Sequence, residues 1–570
     1  MLVTSLYKSR FRRYARRTVI SFLVAGVAYE TDRELNASAI IRNLRTVYAC
    51  AIIALDYKIN FTPENAAGIP ALQERVANRV YDLLVENGGL YIKIGQAFAN
   101  NAALLPRPMQ EKFGTLFDDA PQVPYSTIER VFRAEFGRPP AGPDGVFEVF
   151  EEQAAASASI AQVHRAKLKT DDGSEQWVAV KIQKPAVTKQ VEWDLNAFHA
   201  VMWVYEHWLF HIPACFASEF ITDHIRRELD FVAEAENSRR TAAFVAQEPH
   251  LADRVYIPHV FTELSTKKVM VIEWIDGVRL SDRRGIERLM GDDASVRLRA
   301  PLPADRFPRL KGGSEWVMRT MVDLFSAQIF DWGWVHCDPH PGNIIIRPHP
   351  TRAHQAQFVL LDHGLYVKAT EGFQAQYARL WKALLTADFD GIKNIALSWG
   401  IGAPDLFASA TLMRPVRFKQ TDTANFQEVN EYDRGVMMKA KLRQFLTDTD
   451  KMPKELIFIG RNMRIVQGNN QVFGSPVNRI RITGYWASRS LVTSQDLSIV
   501  ERIRETFGHV LFLGVMLSID VVFWSMRLKQ WFALRLGRKG NGFEDELERS
   551  MRTFVKSNLG IDMPEDAFDG

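Results

Sequence analysis

The sequence predicts an α+β chain with two lobes, a small β-rich one followed by a larger helical one, behind a helical N-terminal extension. Three observations predict it. Short runs of β-type composition crowd into residues 146–183 and recur at 254–274. Apolar residues at helical spacing dominate on either side. A proline- and glycine-rich stretch, Gly137–Gly145, separates the extension from the β-rich part. At 570 residues, with 47% hydrophobic and 24% charged residues, the chain can bury more than one core and is not disordered in bulk.

Residues 1–60 form a basic segment. Lys8, Arg10, Arg12, Arg13, Arg16 and Arg17 precede the first acidic residue, Glu30, and an apolar run, Thr18–Tyr29, follows them. That run is short for the roughly 20 residues a spanning helix needs. An Arg-rich, acid-free start with no small-residue cleavage site reads as organelle targeting or membrane anchoring rather than a secretory signal. Val47–Leu55 reads as a buried or membrane-surface helix. Residues 61–145 are the helical extension, with helical spacing over Ala71–Glu86 and Pro63, Pro106 and Pro108 as punctuation. Residues 146–280 are the small lobe. Val146–Phe150, Ser159–Leu168 and Trp177–Gln183 read as strands, with a polar turn at Thr170–Glu175. Helical periodicity resumes from Val187 to about Ala246. Two more strand-like runs, Arg254–Thr262 and Lys268–Trp274, end at a turn closed by Gly277. Residues 281–500 are the larger lobe: an irregular stretch Ser281–Gly313, a helix Ser314–Phe330, strands Asn343–Arg347 and Phe358–Leu361, then mainly helix. In residues 501–570, Val510–Trp524 is strongly apolar but contains Asp520. A carboxylate is costly in lipid, so this run reads as a buried or interfacial helix before a crossing one.

The bulk numbers exclude several classes. Seventy-one basic against 67 acidic residues, net +4, is too balanced for a nucleic-acid binder, and no basic-aromatic interleaving is present. Cys50, Cys215 and Cys337 are far apart and odd in number, which excludes a disulfide framework and a structural zinc site and fits a reducing compartment.

Phosphoryl transfer needs few covalent groups and many positioned charges: a Lys on the phosphates, a Glu to hold it, oxygen ligands for Mg²⁺ and a carboxylate near the acceptor. Candidates for each occur in the order found in protein kinases. Val178-Ala179-Val180-Lys181 ends an apolar strand with a Lys. Asp338-Pro339-His340-Pro341-Gly342-Asn343 reproduces the four-residue spacing between the Asp and Asn of a kinase catalytic loop. Asp362-His363-Gly364 follows a buried strand where kinases carry Asp-Phe-Gly. Singly, each is an ordinary strand-end Lys or turn Asp. The ordered set carries the specificity. His336, His340 and His363 lie nearby, but no HExxH or Cys/His ligand set accompanies them, so they read as packing and hydrogen-bonding groups.

With these residues in view, the chain resembles the UbiB/AarF (ADCK) family of atypical kinases, from about Val85 to Val367. Lys93-Ile94-Gly95-Gln96 matches that family's KxGQ motif. The run Ala154–His164 matches its Ala-rich loop, which stands where kinases have a Gly-rich one. Glu228-Leu229-Asp230 matches its ExD motif, and the HCDPHPGN and LLDHG segments are close to its wording. The resemblance implies a protein-kinase-like two-lobed fold binding ATP and Mg²⁺. It implies an ion pair of Lys181 with Glu234, a metal site of Asn343 and Asp362, and Asp338 as the catalytic or water-orienting carboxylate. Ala154, Ala155, Ala156, Ser157, Ser159, Lys181 and Glu273 would line the nucleotide pocket; Lys93, Gln96, Glu228 and Asp230 would gate the cleft. Alanine restricts φ and adds a Cβ, so this loop is expected to hold nucleotide differently from a glycine loop. The resemblance further implies an ATPase or a small-molecule or lipid-directed kinase supporting ubiquinone or mitochondrial lipid homeostasis, with a membrane lipid or isoprenoid quinone as partner at the inner mitochondrial membrane. Two alternatives stay open: a conventional Ser/Thr protein kinase, and a catalytically silent, nucleotide-gated lipid-binding or tethering protein.

Overall fold

The computed structural model describes residues 19–99 (22 and 25 apart), 107–113, 122–170, 175–210, 215–292, 307–416, a few positions between 432 and 440, 451–493, 499–537 and 540–559. The basic residues expected to act in targeting, before residue 19, lie outside them. The chain divides into two compact units. The first takes its described residues from 1–101, 108–164 and 181–225; the second takes Arg107 and those from 165–180 and 226–570.

The first unit opens with helices α1 (Val19–Asn36) and α2 (Ala39–Asn60), bent by 108°. Ala37 and Ser38 make the bend, both with φ in the left-handed region that side chains disfavour (52° and 61°). Helices α3 (Ile69–Asn87), α4 (Leu90–Ala99), α5 (Arg107–Phe113) and α6 (Tyr125–Phe136) bear out the helical reading of 61–140. α2 packs on α3 and on α7 (Pro185–Val204). Its buried Arg42 pairs with buried Asp194 of α7 at 2.6 Å and also donates to the carbonyl of Asn87. A buried charge is tolerated only with such partners, so this pair fixes the register of α2 against α7. Phe132 of α6 meets Phe147 and Phe150 edge-on, seating the start of the β-rich segment.

Strand β1 (Val149–Phe150) is followed by β2 (Ala156–Ser157), β3 (Ala161–Lys167) and β4 (Trp177–Gln183). The second unit adds β5 (Val255–Tyr256), β6 (Val269–Glu273), β7 (Val278–Arg279), β8 (Trp334–His336), β9 (Ile344–Pro348), β10 (Ala356–Leu360) and β11 (Tyr366–Lys368). β5, β10, β9 and β7 form a four-stranded sheet in that order, and β8 pairs with β11. Helix α8 (Cys215–Glu228) ends at the expected ExD motif, and α9 (Phe231–Gln247) begins after it; α10 (Arg283–Leu289) falls inside the stretch read as irregular.

The core of the second unit lies among α11 (Gly313–Ala327), α12 (Glu371–Thr386) and the third-last described helix below, with Phe325, Trp381 and Trp486 fully buried. The remaining helices are α13 (Phe389–Ser398), α14 (Pro404–Leu412), α15 (Glu455–Val472), α16 (Arg479–Thr493), α17 (Ile499–Arg535) and α18 (Phe543–Leu559). Arg479 of α16 and Glu544 of α18 make a buried ion pair at 3.0 Å that ties the last helix to the core. Burial raises the Glu544 carboxyl above its ordinary range while Arg479 opposes it.

Candidate active site

The second unit assembles two loops side by side. β8 and β11 are antiparallel, with His336 opposite Tyr366. The loop leaving β8 and the loop entering β11 therefore start as neighbours. Cys337 donates its N–H to Leu365 O at 3.0 Å, and Leu361 donates to Asn343 O at 2.9 Å, closing the pair at both ends. Asp338, Asn343 and Asp362 sit on these two loops.

His336 braces them from beneath. It is fully buried; its Nε2 donates to the Asp362 carbonyl at 2.8 Å, and its Nδ1 accepts the Asp338 N–H at 2.9 Å. Only a neutral imidazole offers one donor and one acceptor, and burial lowers the His336 pKa in that direction. Gln328 takes the His336 N–H at 2.8 Å, and Asn462 donates to its carbonyl at 2.6 Å. His363 is likewise committed at both nitrogens, accepting from the Tyr366 hydroxyl at 2.9 Å and donating to Leu360 O at 3.2 Å. His340 caps the short 3₁₀ turn Pro341–Asn343 by accepting the Gly342 N–H at 3.2 Å. These histidines are structural hydrogen-bonding groups, as their sequence context suggests.

The Asp338 carboxylate pairs with Arg461 of α15 at 3.0 Å. Neither Arg461 nor Asn462 nor Gln328 is singled out by the sequence reading. The available signal is on α15, where Asn462, Gln467, Asn469 and Asn470 are polar yet buried. Cys337, where kinases carry Arg, is buried and its thiol pKa is pushed up by desolvation.

Asp362 Oδ1 accepts the Gly364 N–H at 2.9 Å. A Cβ at Gly364 would stand 3.2 Å from that oxygen and 3.8 Å from Glu234 Oε2, so the glycine permits a close approach and Glu234 lies against the same turn. Glu234 is 2% exposed, in the first turn of α9. The α9 N-cap is Asp230, whose carboxylate accepts the N–H groups of Val232 and Ala233, both at 3.1 Å. Asp230 of the ExD motif thus positions Glu234 by capping the helix that carries it. Glu228, at the end of α8, is half-buried. Asn237, one turn on from Glu234, donates to His363 O at 2.9 Å.

Asn343 and Asp362 offer hard oxygen donors from loops joined by a hydrogen bond, and the Asn343 side chain has no hydrogen bond among the described residues. Such donors suit Mg²⁺ rather than zinc or copper. Glu273 stands apart on β6: its carboxylate is held by the Tyr256 hydroxyl and by Arg347 at 3.6 Å. Any share in nucleotide binding by this residue would fall to its main chain.

In the first unit the Ala-rich loop is a braced hairpin. Ala156 lies opposite Val163 and Ser157 opposite Gln162. Ala155 donates to Val163 O and Ala158 to Ala161 O, each at 2.8 Å. Gln122 grips both the N–H and the carbonyl of Ala154 at 3.3 Å. Lys184 donates to Ala158 O at 2.6 Å, and desolvation lowers its pKa. Three backbone donors that a phosphate loop could offer, those of Ala154, Ala155 and Ala158, are therefore spent internally. Ser159 Oγ, by contrast, is buried with no hydrogen-bond partner among the described residues, a cost tolerated where a ligand or water completes the site. Lys181 is half-buried on β4 between fully buried Val180 and Ile182. Lys93 and Gln96, three residues apart on α4, share a helix face and are half-buried. Lys181 and Glu234 fall in different units.

The ABC1 atypical kinase-like domain matches residues 115–396. The chain is 39% identical to an ABC1 family protein of Purpureocillium lilacinum over 531 residues, covering 89% of this chain and 86% of the relative. It is 39% identical to an ABC1 family protein of Schizosaccharomyces pombe over 509 residues, 88% and 90% of the two. AarF domain-containing protein kinase 1 of Xenopus tropicalis is 28% identical over 87% of this chain and 93% of its own length.

Proposed function

This chain belongs to the ABC1 atypical kinase-like family, and on that premise we propose that it binds ATP with Mg²⁺ and turns it over slowly. It acts as an ATPase or as a kinase of a small molecule or lipid, in support of ubiquinone or mitochondrial lipid homeostasis at the inner membrane. The observation that supports this reading is the His336 brace, which couples the Asp338 main chain to the Asp362 main chain through one neutral ring.

In this reading Asn343 and Asp362 hold the metal, which supplies charge neutralisation across the phosphates when bound. Lys181 bears on the phosphate oxygens, and Glu234 keeps its ammonium oriented. Arg461 holds the Asp338 carboxylate toward the acceptor oxygen, whether of water or of an alcohol. The braced hairpin bearing Ala154, Ala155, Ala156 and Ser157 covers the nucleotide, and the Ser159 hydroxyl supplies a hydrogen bond that free N–H groups supply in glycine loops. Lys93 and Gln96, with Glu228 and Asp230, gate the cleft against a protein substrate. Membrane partnership draws support from α17, the helix among the described residues that is long and apolar enough to cross a bilayer.

Nucleotide turnover by the purified protein, with and without membranes, compared with Asp362→Asn tests the reading. Mg²⁺-dependent turnover abolished by the substitution is expected. Absence of Mg²⁺-dependent ATP binding by the wild type would overturn the enzymatic reading, and transfer of γ-phosphate label to a protein in trans, lost in Asp338→Asn, would favour a Ser/Thr kinase. Unaltered localisation after removal of residues 1–29 would remove the targeting proposal.

A further inference from the structure

Helix α17 has two unlike faces, both legible as steps of three and four residues. Glu505, His509, Met516, Asp520, Phe523 and Gln530 lie along one face, and each meets the second unit. Lys382 pairs with Glu505 at 3.2 Å, Ser488 bonds His509 at 2.8 Å, and a Cβ on Gly484 would lie 3.5 Å from the Met516 sulfur. Arg481 pairs with Asp520 at 2.6 Å and Asn478 donates to it at 3.1 Å. The Phe523 ring lies 5.5 Å from that of Phe543, and Gln530 donates to Gly474 O at 3.2 Å. The carboxylate that interrupts the apolar run therefore belongs to the protein-facing side.

The opposite face carries Phe507, Val510, Leu517, Val521, Leu528 and Phe532, each between 53% and 69% exposed. No charged residue lies on that line of the helix from Phe507 to Phe532. Contacts with the folded unit run from Glu505 to Gln530, about 38 Å of helix axis at 1.5 Å per residue. That exceeds the roughly 30 Å hydrocarbon core of a bilayer. A crossing α17 would drag Arg481 and Asn478, which meet Asp520 near the middle of that span, into lipid with it, a costly transfer even for a paired charge. A helix lying flat leaves them in water and covers only the apolar face. Arg502, Arg504, Lys529 and Arg535 are exposed near its two ends, and Trp524 and Trp531 are 60% and 47% exposed, ring types that settle at headgroup level. The basic ends complement anionic headgroups.

We propose that α17 is an in-plane membrane-docking helix, resting Phe507, Val510, Leu517, Val521 and Leu528 in the headgroup–acyl boundary of an anionic bilayer without crossing it. This deepens the membrane association proposed above and rests on it. The docked helix holds the second unit, with its Asp338 and Asp362 loops, to one leaflet, which suits an acceptor delivered from lipid.

The test uses the full chain with Cys50→Ser and Cys215→Ser, leaving buried Cys337 in place. A fluorophore is attached to Val510→Cys, Leu517→Cys or Leu528→Cys and quenched by bromine at set acyl depths, in phosphatidylcholine vesicles with and without phosphatidylglycerol. Equal, shallow quenching at all three sites is expected, stronger with phosphatidylglycerol and weakened by salt. In Leu517→Glu/Val521→Glu, partitioning of the labelled helix should fall about a hundredfold, tenfold for each apolar side chain lost from the boundary. The unfolding midpoint in solution should not move, because both positions face solvent. Failure of the wild type to float with any vesicles would sink the membrane reading itself. Flotation with unquenched labels, or with Leu517 far deeper than Val510 and Leu528, would overturn the in-plane helix alone. A vesicle-independent dimer dissolved by Leu517→Glu/Val521→Glu would assign the face to a second copy and overturn it equally.

Discussion

Replacing His336 with phenylalanine removes the two ring bonds that brace the catalytic loop against the metal-side loop, while the main-chain bonds Cys337 to Leu365 and Leu361 to Asn343 remain. The phenyl ring is larger than the imidazole it replaces, so the polar loss is a lower bound on the effect. The Asp338 N–H at 2.9 Å and the Asp362 carbonyl at 2.8 Å lose their partner together. An unsatisfied buried donor or acceptor costs about 1–3 kcal/mol. Both groups are only partly shielded, so the pair is set at about 2–4 kcal/mol. With two compact units, one global unfolding energy is poorly defined. Local opening is the better readout, and that energy corresponds to amide exchange in 337–343 and 361–366 faster by about 30-fold to 900-fold. MgATP affinity should fall in parallel, by about tenfold or more, because the donors of Asn343 and Asp362 are no longer held as a set. Hydrogen exchange by mass spectrometry, with titration calorimetry for the nucleotide, measures both. Exchange in these segments within about threefold of wild type, equivalent to under 1 kcal/mol, would refute the brace.

Other outcomes follow from the same geometry. Asp230→Ala should cost about 1–2 kcal/mol in stability by uncapping α9, and Asp230→Asn should restore it; any nucleotide defect that persists in Asp230→Asn, read by turnover, reports a role beyond the cap. Gly364→Ala brings a Cβ to 3.2 Å from Asp362 Oδ1, so Mg²⁺ dependence should shift to higher concentration by about tenfold while the melting temperature changes little. Burial depresses the pKa of His336 and of His164 below 6.5 in the folded chain. The unfolded chain then takes up protons first as pH falls, so the stability these neutral rings contribute is whole above about pH 6.5 and lost below it, at up to about 1.4 kcal/mol per pH unit for each. Asp331 acts oppositely, since burial pushes its pKa up to about 6. The wild type minus His336→Gln difference in melting temperature between about pH 7 and pH 5 isolates the histidine, and a difference independent of pH would contradict its neutral state.

Much of the site is legible in the sequence because its residues sit at fixed spacings on short segments. Asp338 and Asn343 are held by one loop, and Asp362 by the turn after the apolar run Phe358–Leu361, so order and spacing suffice to find them. Ala71–Glu86 and Trp177–Gln183 declare themselves by period, and the structure places α3 at Ile69–Asn87 and β4 at Trp177–Gln183. Groups that act across distance are not legible. Arg461 and Asn462 come from a helix more than a hundred residues beyond the loop they steady, and no local pattern links them to Asp338 or His336. β8 and β11 are three residues each, too short for alternation to register, yet their pairing brings the two loops together. The part played by Asp520 is hidden for the same reason: only packing shows that its partners Arg481 and Asn478 keep it off the exposed face of α17.

Lys181, Asn343 and Asp362 are proposed to act on a single metal-bound triphosphate, and calorimetric titration of MgATP into the wild type, Lys181→Ala, Asn343→Ala, Asp362→Asn and the triple variant tests that most directly. Each single change should cost most of the affinity, and the triple should cost little more, because the three act as one unit. Affinities that survive any one of the substitutions intact, or losses that add independently, would contradict it.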